Sequence, residues 1–165
     1  MTSKVKISTL SLVLTAIYFV TLVAFTLLNL NKGNEITAYI LSAIIIIVCF
    51  AALFYSPIKI TATDAQLEIW RSISCKSIPY SEIKSIFLNK PTLAEKRLFA
   101  SGGFFGYWGW FSESTIGKYF AYYGKASDCF IITLKSGKVY RLGCENPEQM
   151  VQYISSKLTK TPEND

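Results

Sequence analysis

The sequence predicts a two-helix transmembrane hairpin followed by a mainly β, bent barrel of about seven strands, capped by a C-terminal α-helix. Three observations predict it. Two long uncharged runs lie near the N-terminus, alternation of period two begins after residue 58, and a helical stripe follows a capping sequence at 146–149. The chain divides accordingly into a helical hairpin at 1–58, a β-rich domain at 59–158 and a flexible polar tail at 159–165.

Ile7 to Leu30 is 24 residues without a charge, and Ile36 to Ile58 is another 23. At 1.5 Å per residue, a helix of that length covers a hydrocarbon core of about 30 Å. The run Ala43-Ile44-Ile45-Ile46-Ile47-Val48 is apolar on every helical face, whereas a buried soluble helix carries a stripe. Helices are therefore expected at about 7–30 and 36–56. The five residues Asn31-Lys32-Gly33-Asn34-Glu35 between them suit a tight turn. A cleaved signal peptide fits less well, because the first run is too long and no Ala-x-Ala site closes it. Lys4 and Lys6 before the first run, and Lys59 and Arg71 after the second, place both termini in the cytoplasm and the chain in the cytoplasmic (inner) membrane.

Beyond Pro57 the pattern shortens. Ile58-Lys59-Ile60-Thr61-Ala62 and Leu67-Glu68-Ile69-Trp70-Arg71 read as antiparallel strands turned at Asp64-Ala65-Gln66. Ile78 to Leu88 supplies one or two more. Phe130–Leu134 and Val139–Leu142 form a hairpin across a two-residue Ser136-Gly137 loop. Asn146-Pro147-Glu148-Gln149 then supplies an N-cap, a first-turn proline and acidic character. Met150, Val151, Ile154 and Leu158 follow at helical spacing.

Composition removes several functions. There is no histidine among 165 residues, which excludes Ser-His-Asp and Cys-His catalysis and imidazole metal sites. Cys75, Cys129 and Cys144 are scattered, without the paired spacing of a zinc site, and read as buried thiols in a reducing compartment. The acids beyond Pro57 are dispersed and set up no acid–base pair. Neither a catalytic residue, a metal nor a cofactor is expected, and the chain does not read as an enzyme. No basic run exceeds Lys96-Arg97, so nucleic acid is not an expected partner.

Phe99 to Tyr123 holds 11 aromatic side chains in 25 residues, with Gly103, Gly106 and Gly109 at every third position. A phosphate loop would end in Lys and Ser/Thr or open a helix, and this segment does neither. Glycines here permit bends in a curved sheet whose core the aromatics fill. Alternatively, Trp108 and Trp110, two apart on a strand, share a face that would rest at the bilayer surface.

The stretch Lys96-Arg97-Leu98-Phe99-Ala100-Ser101-Gly102-Gly103-Phe104-Phe105-Gly106-Tyr107-Trp108-Gly109 resembles the Arg-x-x-Gly-containing, glycine-rich centre of bacterial pleckstrin-homology (PH) domains. Ala100 stands where that pattern has glycine. Tyr119–Tyr123, the Phe130–Leu142 hairpin, Asn146–Gln149 and the two preceding apolar helices are similar to membrane-anchored members as well. The resemblance covers about 58–158 and implies a seven-stranded bent barrel with a C-terminal helix. It also assigns Arg97, Gly102, Gly103, Gly106, Trp108, Gly109 and Trp110 to a structural motif, with Arg97 hydrogen-bonded to carbonyls of the glycine-rich turn.

The expected function is that of a membrane-tethered interaction module that recognises a protein partner or self-associates, sheet-edge pairing being one mode. The alternative is docking to anionic lipid headgroups by Lys59, Arg71, Lys76 and the Trp108/Trp110 loop.

Overall fold

A computed structural model describes residues 1–159; the expected tail at 159–165 lies outside the described residues except for Thr159. Strand β1 (Thr2–Lys4) precedes helices α1 (Thr9–Asn31) and α2 (Glu35–Tyr55). Then follow β2 (Pro57–Ala62), β3 (Gln66–Arg71), β4 (Cys75–Pro79), a 3-10 turn (Tyr80–Glu82) and β5 (Ile83–Leu88). Strands β6 (Lys96–Gly103), β7 (Gly106–Glu113), β8 (Gly117–Tyr123), β9 (Cys129–Leu134) and β10 (Val139–Gly143) lead to α3 (Pro147–Leu158).

Both long helices have the dimensions to cross a bilayer. Their packing is inside-out by the standards of a water-soluble pair. The buried positions are small, Ser11 and Thr26 on α1 and Ala38 and Ala52 on α2. The large side chains point outward, among them Leu12, Phe19, Phe25, Ile46, Ile47 and Phe50. Small residues let the two backbones approach closely.

The strands form two sheets, β1-β2-β3-β4 and β5-β9-β10-β8-β7-β6, joined at the 3-10 corner. Between them lies the main core, including Ile60, Leu67, Ile69, Phe130, Ile132 and Leu142, with Met150 and Ile154 of α3 packed into it. Two sheets and a C-terminal helix agree with the expected PH-like architecture. Nine strands follow α2 rather than about seven, because the glycine-rich segment folds into the long antiparallel run β6-β7-β8. Strand β10 pairs with β8 in parallel, an order that hairpin reasoning does not supply.

Two local expectations need correction. The β9–β10 connection is Lys135-Ser136-Gly137-Lys138, four residues rather than two. The Leu134 N–H bonds the Lys138 carbonyl and the Gly137 N–H returns to Leu134, with Gly137 at φ +81°. A side chain is disfavoured at that left-handed position. Cys75 is exposed, because it opens the edge strand β4; Cys129 and Cys144 are buried as expected.

The division at residue 58 leaves Thr2–Lys4 with the hairpin, yet this strand completes the first sheet. β1 pairs antiparallel with β2, Ser3 opposite Ile60 and Lys4 opposite Lys59. The Val5 N–H bonds the Ile58 carbonyl, Glu145 N–H bonds Lys4 and Ser8 N–H bonds Gly124. Chain entry to and exit from the hairpin are thus hydrogen-bonded neighbours in one sheet.

Candidate functional site

Two constructions stand out: a polar cluster on the outer face of the six-stranded sheet, and the seam where that sheet meets the helices.

Along β8, Phe120 and Tyr122 face the main core while Tyr119, Ala121 and Tyr123 face the other way. Arg141, between Tyr140 and Leu142 on β10, shares this outer side and is completely buried. Its register neighbours make room for it, since Arg141 pairs with Ala121 and Ala121 with Gly109. What covers it is the connection from β5 to β6, residues 89–95. Arg141 Nη1 donates to Glu95 Oε1 at 2.9 Å and to the Tyr119 hydroxyl. Nη2 donates to Asn89 Oδ1 at 2.6 Å and to Glu113 Oε2 at 2.7 Å. Thr92 Oγ1 donates to Glu113 Oε1 at 2.6 Å, and the hydroxyls of Tyr119 and Tyr123 donate to Glu95. The guanidinium also lies 4.5 Å from the Tyr119 ring centroid.

The acids are therefore not all dispersed. Glu95 and Glu113 converge, brought together by a cation that strand alternation would place in water. Burial raises the Glu113 carboxyl, but hydrogen bonds from Thr92 and Arg141 outweigh it and hold the group below its ordinary range. Burial pushes the Tyr119 and Tyr123 hydroxyls well up, so both remain protonated donors. Two carboxylates sharing one arginine keep one net negative charge, met by hydrogen bonds from Thr92, Tyr119 and Tyr123, the arrangement of a structural pin. The pinned connection carries Leu93 at its crest, fully exposed.

The sequence carries a signal that β8 is covered, though none for Arg141 itself. In Tyr119-Phe120-Ala121-Tyr122-Tyr123 both alternating faces are apolar or aromatic, which marks a strand covered on both sides.

At the seam, the β6–β7 turn meets α1. The Phe105 N–H donates to Thr15 Oγ1 at 3.1 Å, while the Thr15 hydroxyl donates to the Ser11 carbonyl at 2.7 Å with the Gly103 carbonyl 3.3 Å away. Ser56 Oγ, just beyond α2, donates to the Phe105 carbonyl at 2.8 Å. Gly103, Gly106 and Gly109 all have positive φ, so the turn and the bend of β7 use backbone that side chains resist. Gly109 also faces Ala100 across the pair, where a Cβ would come within 2.7 Å of the Ala100 Cα.

Trp108 does not lie free. Its ring stacks on Tyr55, and its Nε1 donates to the Phe104 carbonyl at 3.1 Å. Trp110 is half-exposed on the same side and meets Phe120 edge-on. Arg97 folds over Gly102, where any side chain would collide with its guanidinium. It makes no hydrogen bond to the turn carbonyls among the described residues. Ser101 and Trp108 bond the Phe104 carbonyl instead.

Each basic residue of the lipid alternative lies against an aromatic ring. Lys59 is on the outer face of the first sheet, 4.8 Å from the Trp70 ring centroid. Arg71 lies between the rings of Phe54 and Tyr122, at 5.5 and 5.7 Å. Lys76 sits over Tyr140. No group of three potential metal ligands occurs among the described residues.

A family model for the bacterial PH domain matches residues 58–158, more than half of the chain. The chain belongs to the bacterial PH domain family. The two apolar helices ahead of this PH domain fit a membrane-anchored form of it. No curated protein and no solved structure gives a match. PH domains are in general interaction modules, and the residues described above give the domain two distinctive parts: the pinned 89–95 connection and the welded helix seam.

Proposed function

We propose that this protein is a membrane-anchored, non-enzymatic PH domain that recognises a protein partner, or a second copy of itself, through the pinned connection at 89–95. The helices span the cytoplasmic membrane and the domain stands at its cytoplasmic face. The outward display of large apolar side chains on both helices and the positive charge at their domain-side ends support that placement.

The observation that carries the partner reading is the pin itself. A buried arginine, two carboxylates and two tyrosine hydroxyls hold one short loop, whose leading residue, Leu93, touches nothing. A rigid loop with an apolar crest loses little entropy on binding. Strand addition is less well supported. Edge β6 carries Lys96, Arg97 and a bulge, and edge β4 carries Lys76 and Pro79, all features that blunt edges. Docking to lipid by Lys59, Arg71, Lys76, Trp108 and Trp110 also loses ground, since the three cations lie against aromatic rings of the domain and Trp108 is packed on α2.

A photo-crosslinking residue at position 93, in the native membrane, is expected to form a discrete protein adduct that the same probe at Lys118 does not form. Adducts of equal yield from both positions, or none from position 93, overturn the loop as the recognition element.

A further inference from the structure

The seam between α1 and β6 encloses a groove of about 730 Å³, within the range of about 300–1,000 Å³ common for small-molecule sites. Its floor is Leu14, Ile17 and Tyr18 of α1 with Val48 of α2. Leu98 and Phe99 of β6 form a wall, both exposed, Phe99 to 86%. Arg97 is the one ionisable group with a full charge that lines it, and no carboxylate pairs with Arg97 among the described residues.

We propose that this groove binds one anionic glycerophospholipid, its phosphate held by Arg97 and one acyl chain laid along Leu14, Ile17, Tyr18 and Val48. The proposal rests on the reading of α1 and α2 as membrane-spanning.

Depth supports it. α1 has 23 residues, about 34 Å of helix against a hydrocarbon core of about 30 Å. The excess of about 4 Å, less than one turn, stands at headgroup level. Arg97 folds back over Gly102, and Gly103 beside it approaches Leu14, about 8 Å from the start of α1. The guanidinium thus lies near the headgroup boundary. Tyr18 is about 14 Å from that start and Val48 about 10 Å from the end of α2, both at acyl-chain depth. The floor is continuous with helix faces that already point outward.

Charge selects the occupant. A guanidinium presents paired donors suited to a phosphate, and an apolar floor below it suits a chain attached to that phosphate. A peptide strand is the poorer occupant, because Lys96, Arg97 and the bulge spoil the edge it would pair with. A second copy meets the same cations on its own β6, and like charges would face each other.

The test uses the full chain in nanodiscs of phosphatidylglycerol and phosphatidylcholine in equal parts, with retained lipid read by native mass spectrometry after release. Wild type is expected to retain phosphatidylglycerol preferentially, and Arg97→Gln to lose about fivefold of that preference, with Arg97→Lys keeping most of it. Independently of any variant, phosphatidylglycerol with a diazirine in its acyl chain should label peptides containing residues 14–18 and 97–100 above the rest of both helices. Unchanged preference in Arg97→Gln, labelling spread evenly over the helices, or a dimer that excludes label from the groove overturns the proposal. A chain that elutes apart from the disc overturns the spanning reading instead.

Discussion

Tyr55, the last residue of α2, stacks on Trp108 of β7 with ring centroids 5.5 Å apart and planes 12° from parallel. Tyr55 also meets Phe120, which meets Trp110 and Tyr122. The end of a helix is thereby joined to the middle of a sheet by a continuous set of rings. A double-mutant cycle on Tyr55→Ala and Trp108→Ala in the full chain is expected to give a coupling of about 0.5–1.5 kcal/mol. Strictly additive losses would mean that the stack contributes nothing beyond area.

Arg141→Met leaves Glu95 and Glu113 facing each other without their cation. Removing one partner of a buried ion pair costs about 3–5 kcal/mol, largely from the charge left behind. Denaturant unfolding of this variant should show a loss of that size. Adding Glu95→Gln and Glu113→Gln to Arg141→Met should restore much of it. A loss under about 1 kcal/mol would show that the cluster is not the pin described.

Acid acts on the same cluster through Glu113. Its carboxyl is held below the ordinary 4.5 in the folded chain, so the folded state binds the proton less readily than the unfolded state. The stabilisation is complete above 4.5 and is lost as pH falls through the lower, folded-state value. Thermal unfolding followed downward from neutral pH should show this decline, and Glu113→Gln should flatten it. An identical slope in wild type and Glu113→Gln would assign the acid sensitivity elsewhere.

Gly124 is where the N-terminal segment crosses the sheet. A Cβ there would lie 2.8 Å from the Lys6 carbonyl carbon, and the Gly124 carbonyl accepts from Ser8 N–H at 2.9 Å. Gly124→Ala is expected to lift residues 5–8 from β8 and open them to limited proteolysis. Gly137→Ala provides the contrast: nothing lies within 4 Å of its Cβ, and the cost is only the strain at φ +81°, about 1 kcal/mol. Equal protease resistance in the Gly124 variant and wild type would show that the crossing tolerates a side chain.

Orientation has a separate check. A reporter active only outside the cytoplasm, fused behind α3, is expected to stay silent; activity would reverse the assigned topology.

The helices, most strand positions and the C-terminal helix were legible because each follows from local pattern: uncharged length, alternation, or a cap followed by a stripe. The glycine-rich segment was legible as a bent sheet and, from its resemblance, as a PH domain. The pin was not. Arg141 alternates with Tyr140 and Leu142 as a wet residue would, and nothing local to β10 reveals that a loop 46 residues earlier in the chain reaches it. Burial on the outer face of this mixed sheet is a tertiary property, visible only where, as in β8, both faces turn apolar. β1 was equally hidden, since three residues carry too little pattern and its partner lies 59 residues away. Arg97 was found for its motif, but spacing does not encode the direction of its side chain.

The pairing of β1 with β2 sets an order of biogenesis. β1 leaves the ribosome before α1 and α2, and its hydrogen-bonding partner β2 follows only after both long helices have been made. The first sheet therefore cannot close until the second helix has turned back to the side where the chain began, and contacts this distant in sequence form late. A chain whose two helices fail to pair keeps an open sheet edge and an unfilled row beside β2, so completion of the first sheet reports that the helical hairpin has formed.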